Sequence, residues 1–150
     1  LARFNRSDAA LVAELSRLYV RHRFENLVPF DGARELLLSL KKAYVVCAVS
    51  NGEQDLAQLG LDDAFSFVVL AADVGYDKPD PRIFDLALQK ASTEADRCLY
   101  VGDNYYDDCL GSRKVGMNAL IINRFGSLGV EEIDDCPVIH QLSDIFTYID

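Results

Sequence analysis

No run of apolar residues in this 150-residue chain approaches the ~20 positions that a membrane-spanning helix needs, so no membrane role is expected. Basic residues are also short: 15 Lys and Arg face 24 Asp and Glu, for a net charge of -9. A nucleic-acid surface would show a basic stripe, so that class is excluded. No Cys-x-x-Cys pair occurs, and the four cysteines (Cys47, Cys98, Cys109, Cys136) are scattered. A structural zinc site would want closer ligand pairing. Cys47 and Cys98 lie inside apolar runs and read as buried free thiols, which fits a cytoplasmic location. Of only two histidines, His22 reads as a solvated or edge-packed helix residue, not a ligand. Leu1–Arg6 lacks the long apolar segment of a signal peptide, and the first residue is not Met.

What is present is a soluble-domain composition, half hydrophobic and about a quarter charged, long enough for one domain with a sizeable core. Residues 7–24 show apolar positions at helical spacing (Leu11, Leu15, Leu18, Tyr19), with Ser7 and Asp8 as a start. Pro29 and Asp31-Gly32 punctuate the chain before a second helix over 33–42. Apolar runs at 44–49, 65–70, 98–101 and 118–122 read as strands, the first as one covered on both faces. Helices are expected near 81–92 and 107–115, then a short strand at 138–139 and a closing helix through 142–149. Strands alternating with helices at these spacings imply right-handed βαβ units and a parallel sheet.

Three of the loops that follow strands carry polar groups: Ser50-Asn51, then Lys78, then Asp103 with Asp107 and Asp108. Such loops converge on one edge of a parallel sheet, where ligands gather. A hydroxyl, an ammonium and a carboxylate group there could bind a phosphoryl group together with a hard cation. Mg²⁺ suits such a site, because one or two carboxylates, waters and substrate phosphate complete its octahedron. Each residue also has a plainer reading: Asp and Asn crowd into turns, Ser50-Asn51 could cap a helix, and Lys78 could be a surface lysine.

In order and spacing, Val-Ser50-Asn51-Gly, Asp-Lys78-Pro-Asp-Pro-Arg-Ile-Phe84 and Val-Gly-Asp103-Asn-Tyr-Tyr-Asp-Asp108 resemble motifs II, III and IV of the haloacid dehalogenase superfamily, phosphatase-type branch. The resemblance covers about residues 28–145. It implies a Rossmannoid α/β core over 28–150, with residues 1–27 as the last part of a helical cap. It also implies phosphoryl transfer through an aspartyl-phosphate on a small phosphorylated metabolite. By position, Ser50 would bond the phosphoryl oxygens, Asn51 would support that loop and Lys78 would pair with the nucleophile and the transferring group. Asp103 would bind Mg²⁺, and Asp108 or Asp107 would order the metal shell.

The family's motif I, Asp-x-Asp-x-Thr/Val, which supplies the nucleophile from a central strand, does not occur in the chain. The expectation is therefore a C-terminal piece of a longer enzyme. The alternatives are a non-catalytic binding or interaction module and, within the family, a 2-haloacid dehalogenase. The cap selects the substrate in this family, and neither substrate identity nor oligomeric state is legible here.

Overall fold

The computed structural model describes residues 9–25, 27–52, 56–124, 126 and 135–149. Helix α1 (Ala9–Glu25) begins the described chain; its expected start at Ser7 and Asp8 lies outside those residues. Helix α2 (Ala33–Leu40) leads into strand β1 (Cys47–Ser50), and β2 (Phe67–Leu70) is followed by a single turn, α3 (Ala71–Val74). Helix α4 (Pro81–Ala91), β3 (Leu99–Gly102), a π-helical turn at Tyr105–Leu110 and α5 (Gly111–Lys114) come next. Strands β4 (Asn118–Ile122) and β5 (Val138–Ile139) and a 3₁₀ segment at Leu142–Thr147 complete the order.

All strand pairs are parallel, in the registers Ser50↔Leu70, Gly102↔Ile121 and Ile122↔Ile139. They form two ladders, β1–β2 and β3–β4–β5, and among the described residues no ladder bond joins β1 to β3. Every residue of β1 and of β3 is half-buried, and among the described residues each strand has one edge without a partner strand.

Alternation along β3 sends its residues to opposite faces, as the two-residue strand period requires. Tyr100 and Cys98 pack toward the cluster of Val69, Ile83, Phe84, Ala87 and Met117, which is built around α4. Leu99 and Val101 pack with Leu36 of α2 against Leu120, Ile139 and Ile145. Helices thus lie on both faces of the strands. Ile83 and Phe84 are fully buried, contributing roughly 1.5–3 kcal/mol each, so α4 is firmly seated. Its start is equally defined: Pro81 holds the first helical position, and the Asp80 carboxylate accepts from the Arg82 N–H at 3.0 Å. At its far side, Gly111 lets α5 approach, since a Cβ there would come within 2.9 Å of the Phe84 ring.

Three elements differ from the sequence reading in a physically instructive way. The run at 44–49 yields a strand only from Cys47, and Tyr44 and Val45 are exposed ahead of it. The helix expected from 107 starts earlier, because Asn104 accepts from the N–H groups of Tyr106 and Asp107 and so caps the π turn. In α1 the apolar residues at helical spacing, Leu11, Leu15, Leu18 and Tyr19, are all exposed.

Cys109 and Cys136, both fully buried, form a disulfide, whereas Cys47 and Cys98 are free and half-buried. A second tie runs parallel to it, since the Tyr105 hydroxyl donates to Asp135 at 3.1 Å. The π turn is thereby held to the segment leading into β5.

Denatured but unreduced protein is expected to titrate two thiols, rising to four after reduction; four at the outset would remove the Cys109–Cys136 bond. The Asp80 carboxyl, held down to about 2 chiefly by its bond to the Arg82 side chain, should contribute to stability above its unfolded value near 3.8. That contribution is lost as pH falls through about 2, and an NMR titration of Asp80 in the Arg82→Ala variant should return its midpoint toward 3.8.

Candidate functional site

The carboxyl ends of β1 and β3 bring the sequence-derived candidates to one edge of the sheet. Ser50 closes β1, and its hydroxyl both donates to the Gly52 carbonyl (3.0 Å) and accepts from the Gly52 N–H (3.1 Å), folding the loop tightly. Asn51 then reaches across to the loop after β2. Its amide nitrogen donates to the Lys78 carbonyl (3.0 Å), and its oxygen accepts from the Lys78 N–H (2.7 Å). A side-chain amide pairing with one residue's donor and acceptor imitates a strand rung, so the two loops are locked in register. The Lys78–Pro79 peptide bond is cis.

From that backbone, the Lys78 ammonium meets the Asp108 carboxylate at 2.6 Å; the two side chains are 13% and 4% exposed. Asp108 is fully engaged. One oxygen accepts from Lys78 and from the Tyr100 hydroxyl (3.2 Å), and the other accepts from the N–H groups of Asp103 (3.1 Å) and Asn104 (2.9 Å). Four donors on two oxygens are what a carboxylate needs when it leaves water. Gly102 makes the approach possible: a Cβ there would run into the Asp108 carboxylate.

Asp103, Asp107 and Asp108 thus have separate positions. Asp108 is the internal anchor. Asp107 lies on the outer side of the π turn, accepting from the Asn104 side chain at 3.2 Å. Asp103 is exposed, with its backbone N–H committed to Asp108. Among the described residues no three potential ligands stand close enough to enclose a metal ion by themselves. A cation held here would take Asp103 plus oxygens from elsewhere, the pattern that suits Mg²⁺ rather than a caged metal.

Two participants were not singled out from the sequence. Asn104 caps the π turn, and Tyr100 joins the ion pair from within β3. Burial, then the Asp108 charge and their hydrogen bond, push the Tyr100 phenol far above its ordinary range, so it stays neutral. The available signal was a hydroxyl two residues before Gly102, on the same strand face.

The chain is similar to several known proteins. A family model described as hydrolase, haloacid dehalogenase-like hydrolase, matches residues 3–116. A glyceraldehyde 3-phosphate phosphatase of Methanothermobacter thermautotrophicus is 32% identical over 126 residues, 80% of this chain and 56% of that protein. Haloacid dehalogenase-like hydrolase domain-containing protein 3 of Mus musculus is 36% identical over 120 residues, 77% of this chain and 48% of that protein. The chain spans about half the length of these curated relatives. Among solved structures, a 2-haloacid dehalogenase from Pseudomonas syringae superposes with a TM-score of 0.78 at 32% identity, covering 96% of this chain and 63% of that one.

Removing one partner of the buried pair should be costly, and removing its half-buried neighbour Asp107 should not. Asp108→Ala is expected to lower unfolding free energy by about 3–5 kcal/mol, and Asp107→Ala by no more than about 0.5 kcal/mol. Urea midpoints of the two variants test this; equal losses would mean that Asp108 is not the anchor.

Proposed function

Because this chain belongs to the haloacid dehalogenase-like hydrolase family, we propose that it forms the greater part of the catalytic core of a Mg²⁺-dependent phosphatase acting on a small phosphorylated metabolite. The observation that carries the reading is the linked set at one sheet edge: Asn51 clasped to Lys78, Lys78 paired with Asp108, and Asp108 bound to the backbone of Asp103. It holds a hydroxyl, an ammonium and an outward carboxylate in fixed relation.

In this proposal Ser50 and the adjoining amides bind phosphoryl oxygens. Lys78 offsets charge that grows on those oxygens during transfer, where such reactions gain most of their acceleration. Asp108 keeps the lysine in place, and Asp103 would hold the cation. When bound, Mg²⁺ would neutralise phosphoryl charge and orient the group for in-line attack. Asp107 is left as a residue of the turn that accepts from the Asn104 side chain.

The nucleophile would come from a further strand. The family's motif I is absent from these residues, and β1 and β3 are the two strands whose ladders stop short of one another. A strand ending in Asp-x-Asp-x-Thr/Val, supplied by another segment of the natural protein, would complete both edges and carry the aspartate that forms the aspartyl-phosphate. Helix α1, with its uncovered apolar side, would be the last helix of a cap over residues 1–27. No described helix is long and apolar enough to cross a membrane, and a cytoplasmic location is part of the same proposal.

Two other readings have specific support. The likeness to a 2-haloacid dehalogenase favours dehalogenation, and the missing Asp-x-Asp favours a phosphate-binding module without turnover. The glyceraldehyde 3-phosphate phosphatase relative favours the phosphatase.

The natural full-length protein, assayed on a panel of small phosphate monoesters and 2-haloacids, separates the three. Ester hydrolysis abolished by EDTA is expected. Removing Lys78 (Lys78→Ala) should lower kcat roughly 10²–10³-fold, as loss of one charge-stabilising donor does elsewhere. EDTA-resistant release of halide would make it a dehalogenase, and phosphate binding without turnover would make it a binding module.

A further inference from the structure

Tyr100 lies inside the ion pair on which the site is built. Its hydroxyl oxygen is 3.2 Å from Lys78 Nζ, 3.2 Å from Asp108 Oδ1 and 3.5 Å from the Val49 carbonyl oxygen. The ring stands edge-on to fully buried Phe84, with centroids 5.3 Å apart and planes at 71°. Core packing through α4 therefore sets where the hydroxyl sits.

A lysine is otherwise a poor choice for precise placement, because a flexible four-carbon stem carries three rotatable donors. Held by Asp108 alone, the ammonium could turn about the Nζ···Oδ1 line. A second acceptor, at a fixed angle to the first, stops that rotation. The Tyr100 oxygen accepts one Lys78 N–H and keeps its own proton for Asp108 or Val49. Two of the three ammonium donors are then assigned within the protein, and one is left for a ligand oxygen.

Val49 makes the arrangement more than local. It precedes Ser50, so the hydroxyl lies between the strand that ends at the phosphoryl-binding loop and the lysine from the loop after β2. It spans the place where β1 and β3 exchange no ladder bond.

We propose that Tyr100 is a positioning residue: its hydroxyl fixes the Lys78 ammonium in one orientation, leaving a single N–H for a phosphoryl oxygen, and ties that orientation to the end of β1. The identity of the bound group rests on the phosphatase reading; the orientation of Lys78 does not. An aromatic residue retained only for packing would make its hydroxyl dispensable, and Tyr100→Phe separates the two because the ring contact with Phe84 survives.

Two measurements on the natural full-length protein test the inference. The first follows the order of the Lys78 ε-methylene by ¹³C relaxation, with no turnover involved. Tyr100→Phe should lower that order parameter, and an unaltered order parameter overturns the proposal. The second is a double-mutant cycle on ester hydrolysis. Tyr100→Phe should lower kcat about tenfold, the scale of one lost hydrogen bond to a charged group, with KM nearly constant. In a Lys78→Ala background the same substitution should cost nothing further; a second tenfold loss there means that Tyr100 acts independently of the lysine and overturns the proposal. Loss of Lys78 order in a protein that hydrolyses no ester would uphold the positioning role and remove the phosphatase reading. Intact order with normal hydrolysis in Tyr100→Phe would do the reverse.

Discussion

A charged pair has been taken out of water between Lys78 and Asp108, and the surrounding loops are arranged to make that tolerable. Burying two ions costs several kcal/mol each unless their remaining hydrogen-bond capacity is met. Here the carboxylate receives the ammonium, a phenol and two backbone N–H groups. The four donors come from three constraints: Lys78 from a loop clasped by Asn51, Tyr100 from the packed face of β3, and the two N–H groups from the turn that Gly102 allows. Buried pairs in other proteins can be replaced by apolar residues without loss of stability. Its value lies in geometry, since it forces the loops after β1, β2 and β3 into one relation.

The helices serve that relation unequally. Helix α4 is seated by Ile83 and Phe84, and it fixes both the end of the Lys78 loop and the ring of Tyr100. Helix α2 is tied mainly to the loop before β2: Arg34 reaches Asp63 (2.6 Å) and the Gly60 carbonyl, while Lys41 reaches the carbonyls of Asp63 and Phe65. Those bonds are exposed and contribute modestly, so the apolar contact of Leu36 matters more. The disulfide and the Tyr105–Asp135 bond do the corresponding work for the π turn that presents Asp108.

The half-burial of β1 and β3 follows from the same architecture. Both are apolar strands, yet among the described residues each lacks a ladder partner on one edge. The Tyr100 hydroxyl near Val49 and the Lys78–Asp108 pair bridge the two halves of the sheet. Polar groups of the site therefore also hold the fold together at its weakest seam.

Much of this was legible along the chain. Apolar runs bounded by Gly, Pro and Asn marked four of the strands to within a few residues, since strand period and turn chemistry are local properties. Ser50, Asn51, Lys78 and the aspartate cluster stood out because chemistry-bearing residues recur after successive strands, and parallel topology brings such loops together. Where Asp107 and Asp108 lie relative to Lys78 required three dimensions. Adjacent residues on a π turn point in different directions, and only Asp108 faces Lys78 and the amides of 103 and 104. Tyr100 read as a core residue because its ring is one; the role of its oxygen depends on a carbonyl 51 positions earlier and a lysine 22 positions earlier. Cys109 and Cys136, 27 residues apart, could not be paired from spacing, because the approach of the π turn to β5 decides it. Local pattern thus specified the elements and the kind of chemistry at their ends. Which atoms meet was settled by packing, since contacts between residues distant in sequence exist only once the layers have closed.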